Sequence, residues 1–414
     1  MKEKIGILSL GCPRNLVDSE NLLGRLDLKG YRIVDMDQAD IAIVNTCAFI
    51  EDAKRESIDA ILGLLELKKE GRLKKVIVYG CLSQRYQKQL RKDLPQIDAV
   101  VGKISLNHEV KRFSLTPRHF TYLKICEGCI NNCSFCVIPK IKGKFTSLDI
   151  ETILKKTALF NQEKVSELNI IGQDITGYGY DFSKTVRLPG LLKKIIKNAP
   201  DIRWIRLLYL NPERINEELI KLIKDEPKIC KYIDLPLQHI NSRILKLMRR
   251  KGDRAKILKL IEKIRKTIPG VGLRTALIVG FPSETDKEFR ELLKFMEEVK
   301  FERLGAFTYS REEDTAAYNF KKQVPERIKE ERFNRLMLLQ QKISEEVNRG
   351  FLGKTLEVLV DEKQDDIYLG RTQYDAPEVD GSVYIQSKRE LKPGDFVRVK
   401  INDTLEYDLA GEAI

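Results

Sequence analysis

Cys129-Ile-Asn-Asn-Cys133-Ser-Phe-Cys136 puts three thiols within eight residues. Three thiolates at this spacing can hold three irons of one iron–sulfur cubane on a single loop, leaving the fourth iron without a protein ligand. Structural clusters are usually held by four cysteines, so a three-cysteine loop points to an open, reactive iron. Zinc prefers two paired C-x2-C knuckles, which makes a zinc site or unrelated thiols the weaker readings. A second set is dispersed: Cys12, Cys47 and Cys81, each just past an apolar, β-branched run. If those runs are parallel strands of one sheet, their ends share a crevice, and three distant cysteines converge there. The competing reading treats each as a small buried hydrophobe. Three of three on successive units favour a second metal site.

Elements must position these thiols. Residues 1–103 alternate candidate strands (4–10, 40–45, 75–79, 99–101) with amphipathic stretches (15–29, 51–70), which predicts a doubly wound parallel sheet. A polar linker is expected at 104–120. Over 121–349 the alternation resumes, with strands at 122–125, 167–171, 204–210, 232–237, 273–279 and 304–308. Helical patterns at 149–161, 188–198, 216–224, 242–266 and 285–299 lie between them. Six such units predict a partial (β/α)6 barrel with its chemistry at the C-terminal mouth. A charged helix, 326–349, follows. Residues 350–414 read as five short strands (356–360, 368–372, 383–386, 396–401, 409–414), a small β-barrel of OB-like size.

The 414 residues are 42% apolar and 33% charged, within the globular range and against disorder. No apolar run reaches a membrane span, and the first residues lack a signal-peptide pattern. A reducing, cytoplasmic setting is expected, where eight cysteines serve as ligands or catalysts rather than disulfides. The net charge of +13 suggests a polyanionic neighbour such as RNA or the ribosome. Residues 350–414 oppose it, with eight Lys or Arg against 14 Asp or Glu. Phosphate-loop and dinucleotide glycine signatures are absent, as are serine-triad and zinc-protease patterns.

The 129–136 loop resembles that of the radical S-adenosylmethionine (SAM) superfamily. The resemblance implies that SAM chelates the open iron and that reduction releases a 5′-deoxyadenosyl radical. Ser9-Leu-Gly-Cys-Pro-Arg-Asn-Leu-Val-Asp-Ser-Glu20, Asn45-Thr-Cys-Ala-Phe-Ile-Glu-Asp-Ala-Lys-Arg-Glu-Ser57 and Tyr79-Gly-Cys-Leu-Ser-Gln-Arg85 are similar to the N-terminal domain of the methylthiotransferases. That family carries two 4Fe-4S clusters and a C-terminal TRAM domain. Cys12, Cys47 and Cys81 would then hold a sulfur-delivering cluster, and Cys129, Cys133 and Cys136 the radical-generating one. Gly370-Arg-Thr-Gln-Tyr-Asp-Ala-Pro-Glu-Val-Asp-Gly381 and the first two words most resemble members that modify the β-carbon of an aspartate in small-subunit ribosomal protein number twelve. The tRNA-adenosine-modifying members are the alternative, and a non-catalytic iron–sulfur module docking on the ribosome is the rival from another class.

Charge favours the protein substrate. An acidic barrel, with acids at 361–366 and 375–380, repels RNA and attracts a basic ribosomal protein, while the basic remainder leaves room for RNA contact. A reductant for the cluster is also required. Gln173 (with Asp174), Arg274 and Gly280 are candidate SAM contacts: two loop polars at a strand end, a strand cation suited to the methionyl carboxylate, and a glycine permitting close approach to adenine. No catalytic side chain beyond the cluster ligands is singled out. Cys126 and Cys230 read as buried thiols, His239 as structural, and His108 and His119 carry no signal.

Overall fold

The computed structural model describes residues 3–103, 111–182 and 186–414. The stretch 104–110 of the expected linker, with His108, lies outside them.

The first sheet is wholly parallel, its strands ordered Arg32–Ile33, Lys4–Ser9, Ile41–Thr46, Lys75–Gly80 and Ala99–Val101. Ile41–Thr46 is buried at all six positions, as an apolar run between two parallel neighbours should be. Helices Pro13–Leu28, Glu51–Lys69 and Cys81–Asp93 connect the strands. The chain order reverses between Lys4–Ser9 and Ile41–Thr46, the point where doubly wound folds bind ligands. Arg32–Ile33, a two-residue edge strand, is too short to leave a periodic signal.

Six parallel strands follow as an open arc: Phe120–Lys124, Glu167–Ile171, Trp204–Leu207, Tyr232–Gln238, Gly272–Val279 and Arg303–Thr308. They pair in two groups of three. Backbone bonds from Cys230 N to Ile205 O (3.0 Å) and Leu210 N to Asp234 O (3.1 Å) bridge the groups. The helix expected over 242–266 is two, Ser242–Leu247 and Arg254–Thr267. Gly252 adopts φ +141° between them, and Asp253 caps the second by accepting from Lys256 N. The apolar spacing runs on across the break, so periodicity alone does not reveal it.

The concave side of the arc is filled. Val17 of helix Pro13–Leu28 shares one apolar cluster with Tyr122, Trp204 and Tyr232 of the arc and with Leu359 and Ala376 of the C-terminal domain. That domain is a closed five-stranded barrel of Thr355–Gln364, Ile367–Thr372, Val383–Gln386, Leu409–Ala413 and Phe396–Thr404.

The barrel is fastened to the arc by buried charge. Arg206 pairs with Glu167 (2.7 Å) and donates to the Gln373 carbonyl (2.7 Å). Arg371 bridges Glu167 (2.7 Å) and Asp361 (2.8 Å). Arg303 binds Asp375 (2.7 Å), and Tyr232 Oη donates to Asp380 (2.7 Å). This narrows the acidic-face expectation to the acids that stay exposed, Glu378 of the second group among them. Asp375 is 1% exposed, and Asp361, Asp375 and Asp380 neutralise cations within the fold. Only Glu362, Asp365 and Asp366 of the first acidic group remain exposed.

Candidate metal centres

Cys12, Cys47 and Cys81 follow three adjacent strands of the first sheet at their C-terminal ends. Gly11 has φ +87°, and a Cβ there would sit 2.7 Å from Cys47 Cβ and 2.9 Å from Cys47 Sγ. Glycine is what lets the Cys12 loop pass this close to Cys47. Two asparagines staple the loops. Asn15 Nδ2 donates to the carbonyls of Leu10 (3.1 Å) and Thr46 (3.2 Å), and its Oδ1 faces Cys81 Sγ at 3.7 Å. Asn45 Nδ2 donates to Asn15 O (2.7 Å) and Ser19 Oγ (2.9 Å).

Electrostatics separate these thiols. Burial pushes Cys81 up to about 12 and also raises Cys47. Burial is the largest influence on Cys12 too, but the Arg14 guanidinium, 3.3 Å from its sulfur, the Asn15 backbone N–H and Lys142 together hold the thiol below its ordinary value.

Cys129, Cys133 and Cys136 lie on the loop beyond strand Phe120–Lys124, at the arc's C-terminal mouth. Asn131 donates to Cys129 Sγ from its backbone N (3.4 Å) and from Nδ2 (3.2 Å). Nδ2 also reaches Asp174 (2.7 Å), which pairs with Arg214, and Arg214 returns to Asn131 Oδ1 (2.9 Å). Ser134 fixes the far side through Met248 O (3.0 Å) and Leu247 O (2.7 Å). Burial raises all three thiols, Cys136 to about 12.

Cys126 is 1% exposed, packs against Gly172 and points at the Asp174 carbonyl (3.7 Å). Cys230 belongs to the apolar cluster around Trp204.

Between the two cysteine sets stands Arg14. Its Nη1 donates to Gly172 O (3.2 Å), its guanidinium lies 4.4 Å over the Tyr209 ring, and its charge reaches Cys136. Beside it is a buried ionic group. Lys124 pairs with Asp18 and Glu127, and Lys142 pairs with Asp18 (3.0 Å) and Glu127 (3.6 Å). Lys103 Nζ donates to Lys142 O (2.5 Å). Sequence reasoning did not single these out. Lys124, a charge inside the strand Phe120–Lys124, was the available signal.

Of the candidate SAM contacts, Gln173 donates to Glu127 (3.1 Å), and its buried Oε1 has no partner among the described residues. Arg274 is engaged by Asp234 and Asp380, both at 3.3 Å, so its charge is satisfied inside the fold and its assignment to the methionyl carboxylate is withdrawn. Gly280 has φ +72°, its N donates to Glu284 (2.6 Å), and the Lys329 side chain packs where a Cβ would stand. His239 is fully buried, bonded to Glu284 (3.0 Å) and Asn241 N (3.0 Å), a structural role.

Among the described residues no three His, Cys, Asp or Glu side chains close around a single metal ion. A cubane carries each thiolate on a separate iron and so takes a wider set than one ion does. Two sets of three thiols, with no carboxylate or imidazole in either, fit two such clusters.

Three family models match successive parts of the chain: "Uncharacterized protein family UPF0004" over residues 4–102, "Radical SAM superfamily" over 123–296 and "TRAM domain" over 352–414. The "Ribosomal protein uS12 methylthiotransferase RimO" of Clostridioides difficile (strain 630) is 47% identical, covering 99% of each chain. The protein so named from Caldanaerobacter subterraneus subsp. tengcongensis is 48% identical over the same shares. Among solved structures, the cobalamin-dependent SAM radical enzyme OxsB with aqua-cobalamin and SAM bound superposes with TM-score 0.52 at 12% identity, over 82% of this chain and 56% of that one. That likeness bears on the fold alone.

Proposed function

The chain belongs to the family of RimO methylthiotransferases, and from that premise we propose that it adds a methylthio group to the β-carbon of an aspartate in ribosomal protein uS12. Cys129, Cys133 and Cys136 hold one 4Fe-4S cluster, at which SAM binds, and Cys12, Cys47 and Cys81 hold a second. When bound, these groups supply the hydrogen-abstracting radical, the sulfur and the methyl donor, chemistry that no side chain performs on an unactivated carbon.

The chain's own residues position and shield. Asn15 and Asn45 hold the three strand-end loops at one register. Asn131, Asp174 and Arg214 brace the Cys129 side of the other loop. Gln173 remains the candidate SAM contact, its amide nitrogen held by Glu127. Most of these thiols are buried enough to be protonated without metal, so each site gives up protons as it loads.

The observation carrying this reading is that one guanidinium touches a sulfur of the first three-thiol set and donates to Gly172 O on the arc, the domain that carries the second. The exposed acids of the C-terminal barrel, Glu362, Asp365 and Asp366 among them, can meet a basic protein. No helix among the described residues is long and apolar enough to cross a membrane, and we assign the enzyme to the cytoplasm, where ribosomal proteins are made.

The deciding experiment is anaerobic turnover of the reconstituted enzyme with SAM, reductant and sulfide, offered uS12 or bulk tRNA. Expected is the mass increase of one methylthio group on uS12 and none on tRNA. Modification of tRNA alone would overturn the protein-substrate reading, and colourless protein without 5′-deoxyadenosine would overturn the enzyme reading.

A further inference from the structure

Most buried cations among the described residues are matched by anions. Arg85, Arg206, Arg274, Arg303, Arg332 and Arg371 each pair with at least one carboxylate, and so do Lys124 and Lys142. Half-buried Arg14 departs from the pattern, as does Arg250, which meets Cys133 and the Pro236 carbonyl. Among the described residues the Arg14 guanidinium meets a thiol, a carbonyl and a ring face, and no carboxylate. Nε is taken by Cys12 and one hydrogen of Nη1 by Gly172 O. Nη2 has no partner among the described residues and is not among the sealed, unsatisfied polar atoms, so it keeps an accessible edge.

The group is also held still. Tyr209, which stacks on it, has φ +63°, a left-handed conformation rare for a non-glycine residue, and its backbone N donates to Asp234 (2.8 Å). A guanidinium fixed in plane with a free edge is preorganised for bidentate capture of a carboxylate.

Resting on the function proposed above, we propose that Arg14 grips the side-chain carboxylate of the target aspartate and so sets the specificity for a carboxylate-bearing residue. The reacting β-carbon is bonded directly to that carboxylate, so anchoring the anion places the carbon between the two cysteine sets. The methionyl carboxylate of SAM offers the same chemistry, and the test separates the two.

Full-length reconstituted enzyme, with SAM but no reductant, is titrated with uS12 carrying its target aspartate and with uS12 in which that residue is asparagine. Expected is about tenfold or greater preference for the aspartate form, near-equal affinity for the two forms in Arg14→Gln, and a SAM affinity changed much less. An unchanged preference in Arg14→Gln overturns the proposal, as does a loss confined to SAM binding, or equal wild-type affinities. Should Arg14→Gln fail to load iron, Arg14→Lys keeps the charge beside Cys12, and a preference reduced about threefold or more is expected, an unchanged one being fatal. Wild-type turnover on uS12 reports separately. If uS12 is modified while the preference ignores Arg14, only this inference falls.

Discussion

The two cysteine sets are built by different means. Cys129, Cys133 and Cys136 share one short loop, and local bonds from Asn131 and Ser134 shape it. Cys12, Cys47 and Cys81 come from three strand ends separated by whole helices, and meet only because the sheet orders those strands side by side. Their environments differ too. Every thiol of the loop set is raised by burial, whereas Cys12 is held down against it, chiefly by Arg14. A centre written locally in the chain survives disturbance elsewhere, while one assembled by topology depends on the fold and on the residues that pin its loops.

The largest separation should come from removing ligands. Cys133→Ala is expected to abolish SAM cleavage, read as 5′-deoxyadenosine, and Cys47→Ala to spare cleavage while stopping thiolation. Each variant should hold about four irons where the wild type holds about eight. Next, Asn15→Ala removes two bonds that join the strand-end loops, each costing about 1–3 kcal/mol when a buried partner is left unmet. Iron loading should fall toward half with SAM cleavage retained, and a fall confined to the loop set would reverse the comparison.

A smaller contrast lies in pH. Raised thiols are neutral near pH 7, and iron takes thiolates, so loading tightens as pH rises, by about tenfold per pH unit for each proton released. The loop set, with three raised thiols, should show a steeper slope than the strand-end set, where Cys12 is lowered. Iron titrations of the two triple-alanine variants between pH 7 and 9 measure both slopes. Smallest of all, Cys126→Ser should leave iron content and cleavage intact and cost about 1 kcal/mol in thermal unfolding, since this thiol packs and makes one weak bond.

The legible parts were those with short-range signatures. Phe120–Lys124 to Arg303–Thr308 were visible as apolar runs, helix Glu326–Arg349 as one charged amphipathic stretch, and the loop set as spacing. The strand-end set was readable only by combining each cysteine with the element before it. What escaped was long-range. Arg274 looked like an unpaired strand charge because Asp380, its partner, lies over a hundred residues away. Asp375 and Asp380 looked like surface for the same reason, since Arg303 and Tyr232 reach them only in the folded arc. Arg14 stood inside a quoted word, yet nothing in its neighbours revealed Tyr209 or Gly172 beside it.

The charged seam between segment 371–380 and the arc has a mechanical meaning. Severing one ion pair there leaves a charge stranded, at a cost of about 3–5 kcal/mol, and several such pairs act in parallel. A protease nick near Gly353, in the exposed turn after the long helix, would therefore not release the terminal barrel. The two fragments should co-elute until denaturant is added. The terminal barrel and the arc would then meet a substrate as one block.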